Sequence, residues 1–377
     1  MDFSDLNLKN NPFRLTPPLN PEEIIWVDFN ELKLKLEERI KIGISTSPSS
    51  IVLNWGSYGI GKTHAALYYS RTSRLADVAK ELGCREAKCV KVNLPRTTKD
   101  PVQAFLRAFL GHIRFETIKS DFDDLKSIFN DKIQLILDSI SNDAIITKIF
   151  KKIVEENDPE TIILIEDYFY GDSKKGVLER LDLPYGLQDD EQVVNLFSTY
   201  INAITYEKKL YSSFFLWIDE FEDIDVLSKS NQERFTTFLR QLIDKTPNNL
   251  TIFLNFSPKP FSTKEDLSRT LGDALSTRLR SQIDFKEPSV DQAIDYIDEL
   301  LNHSFFRKET TTNRFQPFTK DSVEYVLNHI NRRTVRIINE TFSLLIELAL
   351  LENVKEINID FINSKKQELP IWVGDET

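Results

Sequence analysis

The octet Gly56-Ser57-Tyr58-Gly59-Ile60-Gly61-Lys62-Thr63 matches G-x-x-x-x-G-K-[ST] in full. It follows the apolar run Ile51-Val52-Leu53-Asn54-Trp55 and leads into His64-Ala65-Ala66-Leu67-Tyr68-Tyr69, which reads as the first turn of a helix. Strand, loop and helix are the setting in which this pattern carries chemistry. Glycines let the backbone curl so that successive N–H groups point inward at phosphate oxygens, and the following helix aims the positive end of its dipole there. In that arrangement Gly56 to His64 form a cradle, Lys62 reaches the β- and γ-phosphates, and the Thr63 hydroxyl ligates Mg2+. The octet implies a bound nucleoside triphosphate.

A length of 377 residues allows two or three domains, or one core with a lid and an insertion. With 41% hydrophobic and 28% charged residues the chain is neither disordered nor fibrous. No run of about 18 apolar residues is present, so no membrane contact is expected. Met1-Asp2-Phe3-Ser4-Asp5 lacks the basic and apolar stretches of a secretion signal, so a cytoplasmic location is expected. Cys84 and Cys89, without a Cys/His pair to complete a zinc site, are expected to be reduced core thiols, and His64, His112, His303 and His329 are too scattered for a metal cluster. The net charge of −11 is uneven: residues 111–210 hold 12 basic and 20 acidic side chains, a net −8 that leaves −3 for the rest. The remainder is thus able to present a local basic face.

Along the chain, Asn11-Pro12-Phe13-Arg14 through Pro21 reads as extended, and residues 31–40 as a helix. A helix is expected from the phosphate loop to about Leu82, stopped by Gly83, then a strand over 89–94 and a helix over 101–112 capped by Asp100. Residues 115–210 read as largely helical. Within them Ile162-Ile163-Leu164-Ile165-Glu166-Asp167 resembles a strand ending in carboxylates, but Asp158 suits an N-cap, Pro159 the first helical position and Gly171 the stop, which predicts a helix over 159–170.

Phe214-Phe215-Leu216-Trp217-Ile218-Asp219-Glu220 has the continuous apolar character of a strand buried on both faces, with carboxylates at the end where open α/β sheets put ligands. Helix 231–244, strand 250–255, helix 271–280 and strand 282–285 follow. The alternation predicts an α/β fold, a doubly wound parallel P-loop sheet, with a helical insertion at about 113–210 and a C-terminal helical lid. The domains expected are an N-terminal segment and helix (1–48), an ATPase core (49–288) and the lid (289–377), whose helices are expected at 289–302, 319–331 and 333–352. Phosphate loop plus apolar-Asp-Glu strand is a two-part ATPase signature. Asp219 is expected to hold magnesium, Glu220 to polarise the attacking water, and Glu222 and Asp223 to be surface residues. Lys62 and Asp219 are expected to converge, from adjacent strands, on one metal–triphosphate.

In these motifs the chain resembles the AAA+ ATPases, which implies ATP as the nucleotide and further site residues. The family's first sensor, a polar residue ending the next strand, falls on Asn255, with Ser257 as the alternative. Its arginine finger, given to a neighbouring subunit, falls on Arg278, with Arg280 as the alternative, and implies a homo-oligomer, ring or filament. The second sensor of the lid falls on Arg336, with Arg332 and Arg333 as alternatives. Trp26, in Ile25-Trp26-Val27-Asp28-Phe29, sits where the family places its adenine-side box; it either stacks near the base or packs as core, and Asp28-Phe29 stands where the family usually has Gly-Arg.

The branch most resembled is the initiator side: replication initiators, ExeA-type secretion ATPases with their Asn-Pro-Phe opening, and transposon target selectors. Tyr168-Phe169-Tyr170-Gly171 through Gly186 also resembles ATP-binding proteins of BREX-type phage defence. The stretch after Leu351 is too short for the initiators' winged helix, so DNA contact is expected from the core, through Lys259, Lys264 and the lid arginines, without base specificity. Two functions compete: an ATP-driven oligomeric switch on DNA in mobile-element or phage-defence biology, and a signalling ATPase that assembles a protein partner through the acidic 111–210 segment. A metabolic kinase would need an acceptor-substrate motif, and none is found.

Overall fold

Strand β3 (Phe214–Asp219) is buried at all six positions and β4 (Leu250–Phe256) at all seven. Such strands have no solvent face and belong in the middle of a sheet covered on both sides. They do: β1 (Ser50–Trp55), β2 (Lys88–Asn93), β3, β4 and β5 (Leu279–Asp284) form a parallel sheet in the order β2-β3-β4-β1-β5. The stacked rings of Trp217 and Phe253, 4.1 Å apart, show how closely β3 and β4 pack. This is a computed structural model, and it describes residues 2–18, 20–96, 99–171, 174–187, 189–259 and 264–369. The chain forms two compact units: Lys35–Trp55 with Ser73–Ile283, and Met1–Leu34 with Gly56–Thr72 and Asp284–Thr377.

In the first unit, the helices between β2 and β3 share a single apolar core with the sheet. Their starts are written in the sequence: Asp100, Asp143, Asp158 and Asp189 each accept a first-turn N–H, and Pro101 and Pro159 occupy first-turn positions. A buried carboxylate ties the insertion to the sheet edge. Asp121 accepts the hydroxyls of Tyr200 (2.6 Å) and Tyr211 (3.0 Å) and pairs with Lys88 of β2. Burial lowers the pKa of Lys88 and raises that of Tyr200.

In the second unit, helices Val290–Asn302, Lys320–His329, Val335–Glu352 and Ile359–Lys365 enclose a separate core. The N-terminal segment is part of it. Leu8 bridges to Arg307, and Phe13 is buried with its ring 5.2 Å from that of Phe342. Asn11 serves the turn around Pro12, accepting the N–H of Phe13 and donating to Ser343 Oγ. Leu19 of the expected extended segment lies outside the described residues.

Four expectations need correction. Strands β1 and β3 are not adjacent, because β4 lies between them and pairs with both. The helix after the phosphate loop is two, Lys62–Arg71 and Arg74–Glu81. Thr72 is extended and its hydroxyl takes the Tyr68 carbonyl at 2.5 Å, which ends the first helix before Leu82. The helix placed at 271–280 spans Lys264–Ser276, with Gly272 at φ 72° interrupting it. β5 begins at Leu279, so Phe285 falls beyond it. Among the described residues, no helix is long and apolar enough to cross a membrane.

Candidate functional site

The phosphate loop leaves β1 through Gly56, where a Cβ would fall 2.5 Å from the Phe285 carbonyl oxygen; only glycine fits. Gly59 (φ 78°) and Gly61 (φ 100°) then take left-handed backbone. No side chain caps the helix that starts at Lys62, and the start of a helix is a setting that favours an anion. Lys62 is buried and curls over its own loop, donating to the carbonyls of Gly56 (2.8 Å) and Ser57 (2.9 Å). Ile60 is buried, Thr63 exposed and Ser57 half-buried. His64 Nε2 lies 2.8 Å from the Ile25 carbonyl, and burial lowers its imidazole pKa.

Arg336, at the start of helix Val335–Glu352, meets the same loop. Its N–H donates to the Gly59 carbonyl at 3.0 Å, and its guanidinium lies 4.3 Å from the exposed Tyr58 ring. A Cβ on Gly59 would be 2.8 Å from Cβ of Arg336, so that glycine answers to packing as well as to backbone angle. Arg332 instead pairs with Glu287, and Arg333 donates to the Pro288 carbonyl. Trp26 packs its indole against Tyr68 (5.3 Å), Tyr69 and His64, and donates to the Asp28 carbonyl at 2.7 Å. Asp28 (φ 48°) and Phe29 (φ 49°) both hold left-handed backbone, so the position where glycine is usual keeps glycine's conformation here.

At the carboxyl edge of the sheet, side chains from four strands form a buried polar row. Asn54 of β1 donates to Asn255 Oδ1 of β4 (2.8 Å), and Asn255 donates to Asp219 Oδ1 of β3 (2.9 Å). Asp219 Oδ2 is buried and accepts no well-directed hydrogen bond, although Lys91 Nζ of β2 stands 3.1 Å away as an ion-pair partner. A buried carboxylate oxygen with spare capacity is what a hard divalent cation seeks, so Asp219 fits a magnesium ligand. Lys91 also donates to Asn93 Oδ1 (2.5 Å), and Asn93 Nδ2 donates to Glu220 Oε2 (3.1 Å). Arg96 lies 3.4 Å from Glu220 Oε1 and donates to Asp223 Oδ2 at 2.6 Å. Glu220 itself is left-handed (φ 54°), a strained conformation for a side-chain-bearing residue and one that clusters at working sites.

Glu222 and Asp223, expected as surface residues, are half-buried and engaged. Glu222 accepts the Ser257 N–H at 3.0 Å and Asp223 holds Arg96. Arg278, between helix Lys264–Ser276 and β5, grips Asp244 of its own chain with Nη2–Oδ1 at 2.7 Å, while Arg280 is exposed. Glu166 and Asp167 lie on helix Pro159–Phe169 and not on a strand. Lys259 pairs with Asp225 at 3.0 Å, and the rest of its loop, 260–263, together with the Lys264 side chain, lies outside the described residues. The thiols of Cys84 and Cys89 are unpaired, and burial raises the Cys89 pKa.

Sequence reasoning missed Asn54, Lys91, Asn93 and Arg96. Asn54 did carry a signal, a polar residue one place before the end of an apolar strand. The β2 residues carried none, since nothing local says that β2 lies beside β3.

No known family profile matches this sequence, and no characterised protein is similar to it in sequence. Solved structures are similar in fold. The ORC2 protein of Aeropyrum pernix in its ADPNP–ADP complexes is 10% identical, with a TM-score of 0.53 over 96% of this chain and 72% of that one. The ADP form of the same protein is 11% identical, with a TM-score of 0.52 over 95% and 72%. At such identities the likeness is one of fold alone.

Proposed function

We propose that this chain is a magnesium-dependent ATPase that assembles into an oligomer and acts as an ATP-driven switch on DNA, in mobile-element or phage-defence biology. The observation that carries the ATPase reading is the Asn54-Asn255-Asp219 row ending in a carboxylate oxygen with spare capacity, in a chain that also bears a complete phosphate loop. The structural relatives solved with ADPNP and ADP support it. In this reading the loop N–H groups and Lys62 bind the triphosphate, and Thr63 and Asp219 hold magnesium, which would supply charge neutralisation on the phosphate oxygens. Asn255 orients Asp219. Glu220 polarises the attacking water, held meanwhile by Asn93. Arg336 reports on the nucleotide from the lid, and Arg278 serves a neighbouring subunit after leaving Asp244.

Calorimetry with Mg·ATP tests the core of this: wild type binds, and Lys62→Ala does not. Zero heat from the wild type ends the proposal. Electron microscopy with ATP and duplex DNA tests the assembly, where rings or filaments are expected and persistent monomers count against it.

One observation favours a protein partner in place of DNA. Lys259 and Arg332 are already neutralised by Asp225 and Glu287, while residues 111–210 carry the net −8. Filter binding separates the two readings, because phosphate contacts give DNA retention that falls steeply with salt. A chain that retains no DNA even at low salt is the signalling ATPase.

A further inference from the structure

Asp219 has two oxygens with different company. Oδ1 accepts from Asn255; Oδ2, the one with room for a cation, faces the Lys91 ammonium at 3.1 Å. Both side chains are nearly out of solvent, at 14% and 4% exposure, and a carboxylate so placed requires a positive neighbour. In the state described here that neighbour is Lys91. A divalent ion taking the same oxygen meets a like charge at close range, which weakens its hold. Lys91 also has a second acceptor, Asn93 Oδ1 at 2.5 Å, that can keep its ammonium satisfied once Oδ2 is given up.

We infer that Lys91 is the built-in counterion of Asp219, so that its ammonium must release Oδ2 for magnesium to be held there, and Lys91 sets how much the metal adds to nucleotide binding. Lys91 is a positioning residue in this sense, acting through Asp219. The inference rests on Asp219 being the magnesium carboxylate.

The experiment measures the Kd of a fluorescent non-hydrolysable ATP analogue in EDTA and in magnesium, and takes the ratio. Lys91→Met and Lys91→Gln are expected to raise the ratio about tenfold over wild type, with the EDTA value little changed. Asp219→Asn is expected to bring the ratio close to one. If Asp219→Asn keeps the wild-type ratio, the reading of Asp219 is wrong. If it abolishes the ratio while both Lys91 variants match or fall below wild type, Asp219 stands and the exchange is refuted. Stability without metal gives an independent readout. Lys91→Met should melt lower than wild type by about 5 °C, and adding Asp219→Asn should restore most of the loss. A Lys91→Met protein as stable as wild type in EDTA overturns the counterion role. Should Lys91→Met fail to fold, Lys91→Gln, which keeps a donor for Asn93, decides the same ratio.

Discussion

Two stretches of this chain look alike on paper: Ile162-Ile163-Leu164-Ile165-Glu166-Asp167, and Phe214-Phe215-Leu216-Trp217-Ile218 followed by Asp219-Glu220. Each is an apolar run ending in two carboxylates. The first is a helix with Ile163 57% exposed, and the second is a strand with every residue from 214 to 219 buried. The difference lies at the borders. Asp158 accepts the Thr161 N–H and Pro159 suits the first helical turn, whereas β3 is bounded by Ser212-Ser213 and by a left-handed residue. Apolar content says that a segment will be covered; caps and breakers say what it becomes. The carboxylates diverge in consequence. Asp219 and Glu220 join a polar row, while Glu166 sits in a half-buried spot beside Glu116 that raises its pKa.

The comparison can be broken at several strengths. The largest expected effect is on stability: Trp217→Ala, stripping a ring stacked on Phe253, should cost about 3–5 kcal/mol in urea denaturation, while Ile163→Ala stays within about 0.5. Equal losses would mean the two runs are equally buried. Next comes catalysis. Glu220→Gln should keep ATP binding and lower turnover by a factor of about 10² or more, against no change for Glu166→Gln. Normal hydrolysis by the Glu220 variant would move the search to Glu166-Asp167. Smaller again is Asp158→Ala, which removes a cap and should lower the melting temperature by about 2–4 °C.

The smallest effect depends on pH. Burial, then Glu116, lifts the Glu166 carboxyl above its ordinary 4.5, so the folded state holds that proton more tightly than the unfolded one. Its contribution to stability is present below pH 4.5 and lost as pH rises through the lifted value. Glu166→Gln should therefore be slightly more stable than wild type at neutral pH, with the gap closing in acid. A gap independent of pH, in melts run across the range, would remove this account.

Much of the fold could be read along the chain because its signals are local. The Asp158-Pro159 start, the glycines of the phosphate loop and the unbroken apolar character of β3 and β4 depend only on near neighbours. What could not be read is lateral. That β4 separates β1 from β3, and that β2 flanks β3 in register Asn93 to Asp219, is settled by pairing between segments distant along the chain. Asp219 and Asn255 were identifiable from their own strand ends, whereas Lys91, Asn93 and Arg96 owe their place to that pairing. The break at Thr72 was missed because a threonine hydroxyl turned back on its own helix looks, in sequence, like any helix-tolerant residue.

The left-handed turn at Glu220 has a geometric consequence. Along a regular strand, consecutive side chains leave on opposite faces, and a chain that kept straight would send two adjoining acids into different layers of the protein. By bending the chain at the second of them, the fold makes a two-pronged fork: Asp219 reaches Asn255 on one flanking strand and Glu220 reaches Asn93 on the other. A single residue slipped between the two would close that fork, however faithfully both acids were retained.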